Sequence, residues 1–141
     1  ANGSIRKIDL DKWKKDKHIE ILGHRSDMHK VLPLADIITF PSYYGEGIPK
    51  TLIEAAAAGR AIVTTDHPGC RDAVIPNKTG LLVPIQNPKK LADALKWLIE
   101  NPKERVAMGK AGRKLAEKNF NVKKIVQMHL DVYGLLLKKI L

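Results

Sequence analysis

The chain has 141 residues, of which 44% are hydrophobic and 28% charged, and it carries a formal net charge of +10. This length suits one ordinary domain, and the composition is typical of a folded water-soluble protein rather than of a disordered or fibrous chain. No apolar run reaches the roughly 18 residues that a membrane-spanning helix needs. The single cysteine, Cys70, excludes an internal disulfide and has no CxxC partner for zinc, so we expect a reduced, cytoplasmic setting.

Short apolar runs alternate with helical patterns along the first 84 residues, which is typical of a parallel sheet covered by helices. Strands are predicted at 19–23, 37–40, 61–65 and 81–84. A short helix or turn, interrupted by Pro33, is predicted between the first two strands. A helix over about 49–58 follows the second strand, with Pro49 at its start and Gly59 just past its end.

The remaining third of the chain is predicted to be helical, because apolar residues recur at spacings of three and four. The predicted stripes are Leu91, Leu95, Leu98 and Ile99; Met108, Ala111, Gly112 and Leu115; and Ile125, Met128, His129, Val132, Tyr133 and Leu136. The last apolar face is wide, and we expect it to pack against the sheet and in part against another domain.

Positive charge is concentrated in this helical tail. Residues 89–141 carry 13 basic and 5 acidic groups, an excess of +8. Such a field favours anionic partners, including a membrane surface. Lysines also simply solvate helix faces, and the sequence leaves both interpretations open. Nucleic-acid binding is not predicted, because the basic residues lack the interleaved aromatic residues of a stacking surface.

The stretch PSYYGEGIPKTLIEAAAAGRAIVTT, residues 41–65, combines a glycine-flanked acid, a helix start and a second acid within the helix. The free N–H groups and the dipole of a helix N-terminus favour an anion such as phosphate. Gly45 and Gly47 remove side chains that would obstruct a close approach. Lys50, in the first helical turn, either meets phosphate or is solvated.

Two familiar phosphate loops do not fit this stretch. A Walker loop, GxxxxGK[ST], fails because Pro49 and Tyr44 stand where its two glycines belong. A GxGxxG dinucleotide loop fails because GEGIPK has no third glycine.

Glu46, seven intervening residues and then Glu54 resemble the E-x7-E signature of retaining glycosyltransferases of family 4, which have the GT-B fold. The flanking segments LGHRSDMHKVLPLADIITFPS and PGCRDAVIPNKTGLLVP follow the order found in that family, so the resemblance covers residues 19–141. It implies a Rossmann-like parallel sheet of about four strands flanked by helices, as part of the C-terminal, nucleotide-sugar-binding domain of a GT-B protein.

The resemblance also implies a role for each site residue. Glu46 is the catalytic residue, whose carboxylate lies against the donor sugar and accepts hydrogen bonds from its hydroxyls. Glu54 accepts hydrogen bonds from both ribose hydroxyls. The other donor-binding residues are Gly47 and Ile48 at the sugar, Thr51 and Leu52 at the diphosphate, and His24 and Arg25 at the base. To these we add Lys50 at the diphosphate, from its place in the first helical turn. No metal and no cofactor is implied, because the protein itself stabilises the leaving diphosphate.

The same resemblance implies that parts of the family fold are missing from residues 1–141: the acceptor-binding N-terminal domain and the first two strands of the donor domain. Those strands are central in the order 3-2-1-4-5-6. We therefore expect an altered sheet edge or a homo-oligomer, and we expect the isolated chain to be inactive. Pro49 also replaces a glycine of many relatives, which removes one N–H donor.

Three functions remain open from the sequence. The first is the donor-binding part of a glycosyltransferase that moves a sugar from a nucleotide-diphosphate sugar, a UDP-hexose or UDP-N-acetylhexosamine, to a glycan or lipid-linked acceptor. The others are a non-catalytic nucleotide-sugar-binding module and a GT-B-type nucleotide-sugar epimerase. A cytoplasmic location, with peripheral contact at the inner membrane surface, goes with the first.

Overall fold

The computed structural model describes residues 5–45 and 47–140, the side chains of residues 139 and 140 excepted. Three parallel strands form one sheet in the order β1, β2, β3. The strands are β1 (Ile37–Phe40), β2 (Ala61–Thr65) and β3 (Gly80–Val83). The helices are α1 (Lys7–Lys14), α2 (Met28–Val31), α3 (Lys50–Ala57), α4 (Pro68–Asp72), α5 (Pro88–Glu100), α6 (Pro102–Asn119) and α7 (Val122–Ile140), and a 3₁₀ turn (Leu32–Leu34) follows α2.

The central strand β2 is buried along its whole length and carries the core on both of its faces. On one face Ile62 packs among Leu52 and the small residues of α3, together with α4. On the other face Val63 packs with Leu98 of α5 and Met108 of α6. This arrangement explains why β2 begins with three apolar residues in a row, 61–63. It confirms the predicted α/β fold with a parallel sheet flanked by helices.

Helix α6 approaches the end of α3 so closely that only glycine fits. A Cβ on Gly109 would lie 2.1 Å from the carbonyl oxygen of Gly59. Gly59 itself has a φ of +69°, the left-handed conformation that commonly ends a helix. This contact fixes the position of α3, which carries four of the nine predicted site residues.

The predicted strand at 19–23 is wrong. The segment forms no strand, and Ile19, Ile21 and Leu22 are 40–48% exposed. A strand needs a hydrogen-bonding neighbour, and within residues 5–45 and 47–140 no strand pairs with the outer edge of β1. The sheet therefore has three strands. The expected homo-oligomer stays a prediction.

The expectation that the last helix packs against the sheet is also wrong. Every α7 residue whose burial the structure describes is exposed, except Gly134, which is half-buried. Spacing alone predicted an apolar face correctly, but it could not say whether a surface was available to cover that face. Ile99 is likewise 63% exposed, and the buried stripe of α5 is formed by Leu91, Ala94, Leu95 and Leu98.

Within the described part of the chain, none of the helices is long and apolar enough to cross a bilayer.

Candidate functional site

The loop that carries the predicted site begins at the carboxyl end of β1, and two buried hydroxyl groups hold it there. Thr64 donates its Oγ1 hydrogen to the carbonyl oxygen of Phe40 at 2.6 Å, and Thr65 donates to the carbonyl oxygen of Ser42. Both threonines are almost completely buried on β2. The start of the loop is therefore fastened to the neighbouring strand.

Helix α3 begins directly after this loop. Pro49 is buried in an extended conformation and precedes the first helical residue, Lys50. Leu52 donates its N–H to the Pro49 carbonyl at 3.0 Å, so this N–H, expected to face a diphosphate, already has an acceptor. The N–H of Thr51 has no acceptor among the described residues. The Leu52 side chain is fully buried and anchors the helix in the core.

Glu54 lies about one turn into α3. Its Oε1 lies 3.4 Å from Nζ of Lys50, and the Glu54 side chain is 36% exposed. The same carboxylate lines a hollow of about 280 Å³ between α3, the turn after α2 and α6. A half-buried acid on a rigid helix, with a cation beside it, can accept two hydrogen bonds from a pair of hydroxyl groups.

Arg113 of α6 forms another wall of this hollow and was missed by the sequence analysis. Its guanidinium donates to the carbonyl oxygen of Ala57 and to Oε1 of Glu117, the latter at 2.6 Å. Arg113 therefore links the last turn of α3 to α6 and adds a positive charge near Glu54. It lies 59 positions from Glu54 in the sequence, and no spacing rule connects the two.

The glycine loop itself is open. A Cβ added at Gly45 or at Gly47 would have no atom within 4 Å, and Ile48 is 38% exposed. Glu46, the predicted catalytic acid, lies outside the described residues. Among the described residues, none therefore blocks a ligand from approaching the backbone at Gly45 and Gly47.

His24 and Arg25 do not line the hollow of Glu54, which is lined instead by His29 of α2. Arg25 makes a two-point ion pair with Asp27, at 2.8 and 2.7 Å. The hydrogen bond from Arg25 lowers the pKa of Asp27 below its ordinary value, and the same bond raises the pKa of Arg25. A ligand that binds Arg25 must compete with the Asp27 carboxylate for the guanidinium group.

The segment after β2 holds the other polar residues near this edge of the sheet. Asp66 accepts a hydrogen bond from Nε of Arg71 at 2.6 Å. Nδ1 of His67 is buried and has no partner among the described residues. Cys70 is buried in the core and forms no disulfide. The described residues contain no group of three or more His, Cys, Asp or Glu side chains that could hold a metal ion.

Comparison with known proteins gives three kinds of match. A family profile described as glycosyl transferases group 1 matches residues 9–115. Among curated proteins, the N,N'-diacetylbacillosaminyl-diphospho-undecaprenol alpha-1,3-N-acetylgalactosaminyltransferase of Campylobacter jejuni is 34% identical over 123 residues. That alignment covers 86% of this chain and 32% of the relative, so the chain spans about a third of the relative's length.

Solved structures share the fold. A glycosyltransferase from Rickettsia africae matches 92% of this chain and 35% of its own, with a TM-score of 0.84 and 24% identity. The HepE protein of Anabaena, solved in complex with UDP-glucose, matches 90% of this chain and 35% of its own, with a TM-score of 0.83 and 19% identity.

Proposed function

Because this chain belongs to the group 1 glycosyl transferases, we propose that it is the donor-binding part of a retaining glycosyltransferase of family 4. It holds a nucleotide-diphosphate sugar, a UDP-hexose or UDP-N-acetylhexosamine, whose sugar passes to a glycan or lipid-linked acceptor. The transfer itself takes place in a longer chain.

The observation that carries this proposal is the position of Glu54. Its carboxylate lies 3.4 Å from the Lys50 amino group, on the helix that starts at the carboxyl end of β1, and lines a hollow. Ligands of open α/β sheets bind at the carboxyl ends of the strands. In this position Glu54 accepts hydrogen bonds from the two ribose hydroxyls of the donor nucleotide.

The diphosphate lies at the start of α3. The Thr51 N–H, which has no acceptor among the described residues, donates to it, and the Lys50 amino group turns from Glu54 to a phosphate oxygen. This exchange replaces an exposed pair, worth little in water, by a contact with a doubly charged ligand. His24 and Arg25 flank the base, with Arg25 released from Asp27.

Glu46, Gly47 and Ile48 are assigned to the donor sugar. The Gly47 and Ile48 N–H groups hold its hydroxyls, and the Glu46 carboxylate favours the positive charge that develops at the anomeric carbon. The diphosphate leaves from the face on which the acceptor hydroxyl attacks, so the anomeric configuration is retained. Backbone N–H groups and cations, rather than a bound metal, stabilise the leaving diphosphate.

The comparisons support the choice of donor and acceptor class. The HepE protein of Anabaena binds UDP-glucose, and the Campylobacter jejuni relative acts on a sugar linked to diphospho-undecaprenol. A lipid-linked acceptor lies at a membrane surface, and the excess of +8 in residues 89–141 favours an anionic surface of that kind. A cytoplasmic location facing that surface completes the proposal.

The 141 residues alone do not catalyse the transfer. A helix N-terminus supplies at most about 2 kcal/mol, whereas enzymatic acceleration typically needs roughly 8 kcal/mol or more. We therefore expect the purified chain to bind the donor without measurable glycosyl transfer to any acceptor, and transfer above the uncatalysed rate would contradict this.

Thermal shift with a panel of donors tests the binding claim. UDP and UDP-N-acetylglucosamine should raise the Tm, because a ligand at 100 times its Kd adds about 2.7 kcal/mol to the free energy of unfolding. GDP-mannose should have a smaller effect. Glu54→Ala should weaken UDP binding by about 10- to 100-fold, the range expected for charge-assisted hydrogen bonds.

Glu100→Ala is the matched control, since Glu100 pairs with Lys96 on α5 at the same i,i+4 spacing and lies away from the hollow. It should leave UDP binding unchanged. If both variants lose affinity equally, or if no nucleotide changes the Tm, the donor assignment is wrong.

A further inference from the structure

A second hollow lies at the carboxyl ends of β2 and β3, and none of the residues assigned above lines it. Its volume is about 210 Å³. This is below the roughly 300–1,000 Å³ of pockets that enclose whole drug-sized ligands. It therefore suits a single ring rather than a complete nucleotide.

Four of the residues that line this hollow have ring side chains. Tyr43 forms one side, and Pro41, Pro84 and Pro88 form others. Proline has a fixed φ, so these walls need little ordering when a ligand arrives. Thr65 also lines the hollow, and its hydroxyl already donates to the carbonyl oxygen of Ser42.

Tyr43 is stacked on Tyr44, and both rings are about half exposed. Their centroids are 4.5 Å apart with an angle of 26° between the planes, and the two phenol oxygens lie 3.2 Å apart. Neither phenol group has another hydrogen-bond partner among the described residues. The pair thus offers an aromatic face with polar groups at its edge, the combination that makes tyrosine frequent in binding sites.

Gln86 provides a further polar group at the rim of the hollow. Its backbone has a φ of +53°, a conformation that residues other than glycine seldom adopt and that occurs at ligand sites. Its carboxamide has no hydrogen-bond partner in the described part of the chain. The carboxamide has one acceptor oxygen and two N–H donors, so it can bind a hydroxyl group either as donor or as acceptor.

We propose that this hollow binds one pyranose ring of the acceptor glycan, with the apolar C–H face of the sugar on Tyr43 and its hydroxyl groups directed to Gln86 and the tyrosine oxygens. The inference rests on the proposed function, because it assigns the ring to the acceptor of the same transfer. It gives the donor-binding part a share in acceptor binding, which the resemblance assigned to the N-terminal domain alone. Tyr43 lies three positions before Glu46 in one loop, so acceptor and donor sugar are held by the two halves of that loop. A nucleobase could also stack on Tyr43 and pair with the Gln86 carboxamide, but the proposed function already assigns the donor base to His24 and Arg25.

Amide chemical shifts of the 141-residue chain, labelled with nitrogen-15, test this site. The probes are methyl N-acetyl-α-D-galactosaminide, methyl α-D-glucopyranoside and uridine, each added to millimolar concentration, and UDP is titrated separately. At least one glycoside should shift the amides of Tyr43, Gln86 and their neighbours in a saturable way. Uridine should not shift them.

Tyr43→Ala should weaken glycoside binding by about fivefold or more, the loss of one aromatic contact, whereas Tyr43→Phe should keep most of it. Gln86→Ala should weaken it as well. Tyr133→Ala removes another half-exposed tyrosine, on α7, and should have no effect. The dispersion of the amide spectrum shows whether each variant is folded, and an unfolded Tyr43→Ala leaves Tyr43→Phe and Gln86→Ala to decide.

The outcomes separate this inference from the donor assignment. If UDP shifts the amides of α3 but no glycoside shifts those of the hollow, the acceptor subsite is wrong and the proposed function stands. If glycosides bind at Tyr43 and UDP does not bind, the subsite stands and the donor assignment fails. Preferential binding of uridine at Tyr43 would overturn the inference in favour of a base site.

Discussion

Replacing Gly109 by alanine should destabilise the fold and weaken donor binding together. The new Cβ would lie 2.1 Å from the Gly59 carbonyl oxygen and 2.9 Å from its carbonyl carbon. Both are backbone atoms, so no flexible side chain can move aside. Helix α6 would have to withdraw from the end of α3 by more than about 1 Å to bring this Cβ to the 3.4 Å at which ordinary van der Waals contact begins.

The size of the effect follows from two opposing terms. Overpacking typically costs about 1–3 kcal/mol, and the backbone contact places Gly109→Ala at or beyond the upper end. Alanine in place of a mid-helix glycine returns up to about 1 kcal/mol. We expect a net loss of about 2 kcal/mol in the free energy of unfolding, measured by urea denaturation.

Gly112→Ala is the matched control in the same helix. A Cβ at Gly112 would meet its nearest neighbours, Cα and Cβ of Ala56, at 3.7 and 3.8 Å, which is ordinary contact. The helix-propensity gain should then dominate, and the free energy of unfolding should rise by up to about 1 kcal/mol. The two substitutions therefore have opposite signs. Equal effects would refute the packing argument.

Three further substitutions test local contacts. Asn87→Ala removes the side-chain oxygen that accepts the Lys90 N–H at 3.0 Å and should cost about 1 kcal/mol in urea unfolding, whereas Asn87→Asp should cost less than half as much. Thr79→Val leaves the Ile75 N–H without the Oγ1 that it contacts at 2.8 Å and should cost about 1–3 kcal/mol, and a loss as large in Thr79→Ser would contradict this. Arg25→Gln should raise the pKa of Asp27 toward its ordinary value of 3.8, measured by carboxyl carbon NMR, and an unchanged midpoint would contradict the pairing. Since the pKa of Asp27 is lowered in the folded state, the stability that this pair adds is present above the unfolded pKa and is lost as the pH falls through the folded value.

The three strands could be predicted from the sequence because each is a short run of apolar and β-branched residues. Residues 37–40 and 61–65 were predicted with the bounds that the structure has, and the third strand differs by one residue at each end. Local signals also gave the helix that follows β1, since Pro49 and Gly59 mark its two ends. The strands and the ends of this helix are set by residues that are close together in the sequence, so the sequence is enough to predict them.

Features that depend on a partner surface could not be predicted in the same way. Residues 19–23 have a strand-like composition, but pairing requires a neighbouring strand. The apolar face of α7 follows from spacing, yet only the tertiary structure shows that it is uncovered. Arg113 belongs to the same class, because its contact with Ala57 bridges two helices far apart in the sequence. Helix α1, which has no buried residues, was not predicted by the sequence analysis.

The central claim is that Glu54 grips the ribose of the donor nucleotide, and the most direct test compares UDP with 2′-deoxy-UDP on the wild-type chain and on Glu54→Ala. Isothermal titration calorimetry gives the four Kd values. The account predicts that the wild-type chain binds UDP about tenfold more tightly than 2′-deoxy-UDP, the effect of one charge-assisted hydrogen bond. It also predicts that Glu54→Ala binds the two nucleotides equally. Equal binding by the wild-type chain, or a preference for UDP that survives in Glu54→Ala, would contradict it.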